Sequence, residues 1–282
     1  MCPSLGQDQV RRQEREVIVK ASESITAADI LYDLRLTVTT VDELPASLRP
    51  SDLNLGYAIQ NELVGRLESH YGGSRIGYKI ACTNTHAQLL LNTSAPVFGR
   101  LSSCFTRSSP AKINGKGFSL LGIEPEFAFE IGKDVPTLDT PHSAETIVDY
   151  VASVIPAIEL VGHRFSDWSK FDAPTLVADN AVHQAWIPGA TVDKWRDLDF
   201  AGHPVELMVN GKVALKGTGA NVLGNPLNAL AWLANELPRW DQPLRAGEVV
   251  TTGTCTDVYI AQIGDEIRAD FGDLGSVQLE LT

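Results

Sequence analysis

The stretch from Leu121 to Ile131 constrains the fold of this chain more than any other. Read as a strand, its side chains alternate between two faces with period two. Ile123, Phe127, Phe129 and Ile131 then share a face suited to a core, while Glu124, Glu126, Ala128 and Glu130 share the opposite one. Carboxylates stacked along one strand face repel one another unless the face is solvated or something positive lies between them. Both solutions fit the spacing: a half-exposed strand with wet glutamates, or a strand that presents its carboxylates to a cation. Pro125 has no N–H to give to a ladder, which predicts an edge strand, a strand start or a bulge.

The 282-residue chain carries 23 Lys and Arg against 35 Asp and Glu, a net charge of −12. That balance argues against nucleic acid or an anionic membrane surface as a partner. An anionic substrate would need a local positive centre, either a metal or a few placed cations. The four cysteines, Cys2, Cys82, Cys104 and Cys255, have neither zinc-site spacing nor a CxxC pair, and read as free thiols of a reducing compartment. Residues 1–20 are polar and lack the apolar segment of a secretory signal, and no apolar run is long enough to cross a bilayer. The expectation is a soluble cytoplasmic protein.

Amphipathic spacing predicts helices around Ala27–Leu34 and Asp52–Glu68, separated by the breakers Leu44-Pro45 and Arg49-Pro50 and ended at Gly72-Gly73. From Arg75 the pattern changes to short strands. These fall at Ile76–Ala81, Val97–Arg100, the glutamate run, Val154–Val161, Val205–Val209, Lys212–Leu215, Val249–Thr252, Tyr259-Ile260, Glu266–Ala269 and Val277–Leu281, with Asn210-Gly211 as a hairpin turn. Further helices are expected at Thr85–Leu91, capped by Thr83 or Asn84, at Ser143–Ser153 and at Pro226–Glu236. Many short strands without sustained βαβ alternation predict an α+β fold, a mixed β-roll or barrel with peripheral helices. The absence of GxGxxG and of a P-loop argues against a nucleotide-binding fold. The chain divides on this reading into an N-terminal extension and helical segment, 1–74, and a β-roll domain, 75–282.

Glu159 lies in an otherwise apolar strand, with Ala157 and Val161 as its neighbours on the same face. A charge there needs a partner or a metal to offset its desolvation. Three carboxylates, Glu124, Glu126 and Glu159, without His or Cys select a hard cation such as Mg²⁺ or Mn²⁺. Lys79 interrupts another apolar strand. A lone lysine usually snorkels to water, but beside a metal-bound anion it serves as a charge clamp or proton carrier. Asp179-Asn180 fits an Asx turn or a pair of polar ligand contacts at a strand end. Gly217-Thr218-Gly219 and Thr252-Gly253-Thr254 read as hydroxyl-bearing loops whose N–H groups can cradle an anion, although most such turns have no ligand. His163, just after the Glu159 strand, is a structural loop histidine or a general base. No GxSxG signature is present, which disfavours a serine nucleophile.

Six of these segments, in order, resemble the fumarylacetoacetate hydrolase superfamily, in the branch of the 2-keto-4-pentenoate hydratases and 4-oxalocrotonate decarboxylases. They are Gly77–Ile80, Ile123–Ala128, Pro156–Val161, Val177–Ala181, Leu223–Ala234 and Gly247–Thr254. The resemblance implies a metal site at Glu124, Glu126 and Glu159, a substrate-side role for Lys79, and a substrate pocket that includes Asp179, Asn180, Thr252, Gly253 and Thr254. It further implies a homo-oligomer, dimer or larger, and a small 2-oxo acid substrate. The reaction it implies is hydration of a 2-hydroxy-dienoate or 2-oxo-alkenoate to a 4-hydroxy-2-oxo acid. Decarboxylation of a vinylogous 2-oxo acid, C–C hydrolysis of an acylpyruvate and a non-catalytic partner subunit are the alternatives. Val97 departs from the pattern, because several relatives carry an acid just before the Phe-Gly that matches Phe98-Gly99.

Overall fold

The structure, a computed structural model, describes residues 22–167 and 171–282; Cys2 and the polar segment 1–20 lie outside the described residues. A first helix, α1, runs through residues 22–37. It buries Ala27, Ala28, Leu31 and Leu34, positions that recur at helical spacing. The second, α2 (Leu53–Tyr71), starts where the Asp52 side chain accepts from the Leu55 N–H and ends at left-handed Gly72.

The rest of the chain is built on strands β1 (Arg75–Ala81), β2 (Val97–Ser102), β3 (Ala111–Ile113), β4 (Gly122–Ile131), β5 (Val151–Val161), β6 (His183–Pro188), β7 (Pro204–Val209), β8 (Lys212–Thr218), β9 (Val249–Thr254), β10 (Tyr259–Ile260), β11 (Glu266–Asp270) and β12 (Ser276–Leu281). Helices α3 (Thr85–Leu90), α4 (Ala144–Ile147), α5 (Ala173–Ala178) and α6 (Pro226–Glu236) punctuate them. One sheet has the order β2-β1-β9-β4-β5-β6 with β10 added on β4; the other has the order β3-β12-β11-β7-β8. The larger sheet curls until its two ends, β2 and β6, touch. The segment after β2 continues along β6, where Arg107 N–H donates to Trp186 O and Ser109 N–H to Pro188 O. The α+β roll with peripheral helices is therefore the observed architecture.

Curling gives the sheet an inside. Leu101, Ala128, Ile155, Ala157 and Trp186 form a small apolar cluster of their own, separate from the main core. The main core runs without a break from Ala27 to Leu281, so the boundary anticipated near residue 74 falls inside one continuous apolar body. Gln60 of α2 ties the layers by donating to both Phe98 O and Val177 O.

Three local expectations need correction, and one of two open alternatives closes. Pro125 is not at an edge: β4 pairs with β5 on one side and with β9 and β10 on the other. The proline sits where that second neighbour changes, between Ile123 opposite Tyr259 and Glu126 opposite Thr254, so no ladder bond is lost there. The face carrying the glutamates is not wet, since Glu126 and Ala128 are both fully buried. The helix expected over Ser143–Ser153 ends early. A short α4 and one 3₁₀ turn give way to β5 at Val151, because β5 extends to match all of β4. Gly217-Thr218 and Thr252-Gly253-Thr254 belong to strands β8 and β9 rather than to loops.

Candidate metal centre

Strand pairing assembles the carboxylates. Glu124 on β4 lies directly opposite Glu159 on β5, and Glu126 lies opposite Ala157. Period two puts Glu126 on the same face as Glu124, above buried Ala128. Lys79 arrives from β1, on the far side of β9. Oxygens of Glu124, Glu126 and Glu159 all come within 4.8 Å of one another, and Lys79 Nζ lies 3.3 Å from Glu159 Oε2. Glu126, Glu159 and Lys79 are at most 2% exposed, whereas Glu124 opens onto a cavity.

Burial dominates the electrostatics. It raises Glu124 and Glu126 to about 8, against the opposing pull of Lys79. Glu159 is raised for the same reason. Burial pushes Lys79 down, but the charges of Glu159, Glu124 and Glu126 outweigh it and hold the ammonium above its ordinary value. One lysine thus faces three carboxylates. Glu126 Oε2 accepts from Thr251 Oγ1 and from the Gly253 N–H at 3.0 Å, while buried Glu126 Oε1 has no hydrogen-bond partner. An orphaned buried oxygen, an all-oxygen donor set and surplus negative charge fit a divalent cation.

Two glycines make this packing possible. Gly253 has φ +104, and a Cβ there would collide with Thr83 Oγ1; only glycine lets β9 turn its N–H onto Glu126. A Cβ on Gly99 would lie 2.7 Å from Asn180 O and 3.1 Å from Lys79 Cγ.

The structure does not bring every sequence-identified residue to the cavity. Lys79, Glu124, Gly253 and Thr254 line it, but Thr252 is buried and donates to Phe127 O. Asp179 is buried between two arginines, Arg35 at 2.9 Å and Arg164 at 3.1 Å. Asn180 bonds the backbone of Arg100 in both directions, at 2.8 and 3.0 Å, and so fixes β2 beside the Lys79 strand. His163 does line the cavity. Burial lowers its pKa and its Nδ1 is without a partner. Val97 is buried in the main core.

Sequence reasoning missed His183. Its Nδ1 lies 2.7 Å from Glu159 Oε1, with both side chains buried. Burial, then Lys79 and Arg35, keep the imidazole well below its ordinary pKa, and Nδ1 is the ring nitrogen that faces the carboxylate. Strict alternation along β6 hides it. Glu159 faces Trp186 and Leu160 faces Ala185, but Val161 faces His183. Gln184 is the extra residue of a bulge that turns His183 onto the glutamate face.

The cavity above the glutamates measures ≈1070 Å³. Its walls include Leu90, Leu91, Leu120, Phe171 and Leu176, with Asn84, His86, Gln88, Asn221 and Asp257 as further polar members. Among the described residues Lys79 is the only lysine, and no arginine lines it.

A curled β-sheet whose inner face carries a buried carboxylate centre, open to one large cavity, defines a β-roll protein with three carboxylates spaced as metal ligands. The chain belongs to the fumarylacetoacetate hydrolase family: the model for the fumarylacetoacetate (FAA) hydrolase C-terminal region matches residues 84–282. It is 31% identical over 254 residues to 2-keto-4-pentenoate hydratase of Paraburkholderia xenovorans strain LB400, covering 90% of this chain and 93% of that one. It is 31% identical to 2-hydroxyhexa-2,4-dienoate hydratase of Comamonas testosteroni, covering 91% and 97%. The structure of 4-oxalocrotonate decarboxylase from Pseudomonas putida G7, complexed with magnesium and adipate, superposes with a TM-score of 0.85 at 25% identity, covering 93% of this chain and 98% of that one.

Proposed function

We propose that the protein is a metal-dependent hydro-lyase that hydrates a small 2-hydroxy-dienoate, or its 2-oxo-alkenoate tautomer, to a 4-hydroxy-2-oxo acid. The observation that carries this reading is the triad Glu124, Glu126 and Glu159 beside Lys79, reached from the cavity through Glu124 and Lys79, in a chain 31% identical to two hydratases. The three glutamates would hold Mg²⁺ or Mn²⁺. When bound, the cation supplies Lewis-acid polarisation of the 2-oxo group and charge for the substrate carboxylate.

The chain's own residues do the rest. From the dienol, net hydration places the hydroxyl of water on C4 and protons on C3 and C5, one from water and one replacing the proton that the C2 enol hydroxyl loses as it becomes the 2-oxo group. Lys79 Nζ pairs with the anionic end of the substrate and carries a proton at that end. With a valine at position 97, proton transfer at the far end falls to groups that line the cavity, among them His163. The apolar walls take the substrate tail and limit bulk water. Gly253 N–H and Thr251 fix Glu126, and Asn180 fixes the Lys79 strand through Arg100.

The decarboxylase neighbour supports a second reading, action on a dicarboxylic 2-oxo acid. The lining favours the first, because among the described residues nothing but Lys79 offers a permanent cation to a second carboxylate. The three described cysteines are free, which accords with a place in the reducing cytoplasm. Assembly as a homo-oligomer belongs to the same proposal and is read by light scattering in solution.

The deciding assay incubates the purified protein with Mg²⁺ and 2-hydroxypenta-2,4-dienoate and follows loss of the dienol absorbance. Turnover that vanishes in EDTA and returns with Mg²⁺ is the expected result. No turnover of this dienoate, of longer ones or of acylpyruvates would sink the enzyme reading.

A further inference from the structure

His183 meets one of the three glutamates from behind, outside the cavity lining. Its Nδ1 is 2.7 Å from Glu159 Oε1, while Glu159 Oε2 is the oxygen beside Lys79 Nζ at 3.3 Å. A carboxylate that serves as a metal ligand is ionised and only accepts, so in that state Nδ1 carries the hydrogen of this bond. The other ring nitrogen, Nε2, is buried without a partner, as fits the unprotonated position of a neutral ring. The imidazole is edge-on to Phe105, with ring centroids 6.5 Å apart.

The backbone that presents this ring is held with unusual effort. Asn180, Ala181 and Val182 have φ of 55°, 48° and 58°, three successive left-handed residues without a glycine. Arg35 bridges the turn: Nη2 donates to Asp179 O at 2.8 Å and Nη1 to His183 O at 3.0 Å. The bulge at Gln184 then brings His183 onto the Glu159 face. Strained backbone, buried arginine and bulge converge on one ring and one carboxylate oxygen.

We propose that His183 is a positioning residue for the metal centre: its Nδ1–H holds Glu159 Oε1, fixes the rotation of that carboxylate and leaves Oε2 as the oxygen offered to the cation. Partners of this kind behind a metal ligand typically contribute 10–100-fold in affinity. The proposal rests on the reading of Glu124, Glu126 and Glu159 as ligands.

The test measures Mn²⁺ affinity by calorimetry and by electron paramagnetic resonance on the full chain, for the wild type, His183→Leu and His183→Gln. His183→Leu is expected to bind about 10–100-fold more weakly, and His183→Gln, whose amide can still donate, to recover most of that loss. A folded His183→Leu with wild-type affinity overturns the positioning role and leaves the ligand assignment standing. A wild type that binds no Mn²⁺ overturns the ligand assignment itself. Independently of any variant, ¹⁵N spectra of the wild-type histidines are expected to show one ring protonated at Nδ1 and bare at Nε2, before and after Mg²⁺ is added. A ring at position 183 protonated at Nε2 instead would overturn the proposal.

Discussion

At the scale of single residues, the metal-free centre is short of positive charge. Burial first, and the neighbouring carboxylates with it, raise Glu124 and Glu126 to about 8 from a reference of 4.5, even with Lys79 in place. Between those values the folded protein holds more protons than the unfolded chain, so its stability falls as pH rises through that window. A cation that displaces these protons binds more tightly as pH climbs towards 8, and levels off above it. Mg²⁺ titrations in two buffers of different ionisation enthalpy should show protons released at pH 7 and few at pH 9; an affinity flat from pH 6 to 9 would contradict the coupling. Lys79→Met separates charge balance from chemistry. Removing the ammonium should leave Mg²⁺ affinity unchanged or higher at pH 9, where few protons compete and a like charge is gone, while kcat/KM drops about 100-fold or more. These four residues were legible in the sequence because a charge between apolar neighbours on a strand has few solutions. His183 was not, because a bulged strand has no fixed period and the partner it needs is 24 positions away.

At the scale of elements, the strand and helix pattern transferred well where one force dominates. Capping and amphipathic spacing set α2 and α6, and Asn210-Gly211 sets the β7–β8 hairpin. It failed where tertiary pairing overrides local preference, as at Pro125 and at the early end of α4. The Asp179-Asn180 segment shows the same limit. Its sequence fits a ligand-binding turn, yet the acid is buried between Arg35 and Arg164, which are themselves 7% and 3% exposed. Removing one member of such a network leaves the others charged and without their counter-ion. Asp179→Ala should therefore cost about 3–5 kcal/mol, read as a lower urea midpoint at unchanged slope. A variant of wild-type stability with a raised KM alone would instead place Asp179 in contact with substrate.

At the scale of the whole molecule, charge and cavity act together on which acid is accepted. The chain carries a net −12, so an approaching anion meets repulsion until it reaches Lys79 and, on the proposed function, the cation. A second carboxylate adds to that repulsion. Beyond Lys79 the walls offer it Leu120, Phe171 and Leu176 and the amides of Asn84, Gln88 and Asn221, with no described lysine or arginine to receive it. The first cost is screened by salt, since the Debye length shrinks from about 30 Å at 0.01 M to about 8 Å at 0.15 M. The second is a desolvation cost and is not. Two saturated acids that cannot be hydrated, 2-oxohexanoate and 2-oxoadipate, separate the two by calorimetry in Mg²⁺. The monoacid should bind at least about tenfold tighter, equal to 1.4 kcal/mol. That ratio should narrow with salt yet stay above one at 0.15 M, and Leu176→Lys should close it. Tighter binding of the diacid at every ionic strength would move the protein from the hydratase reading to the decarboxylase one.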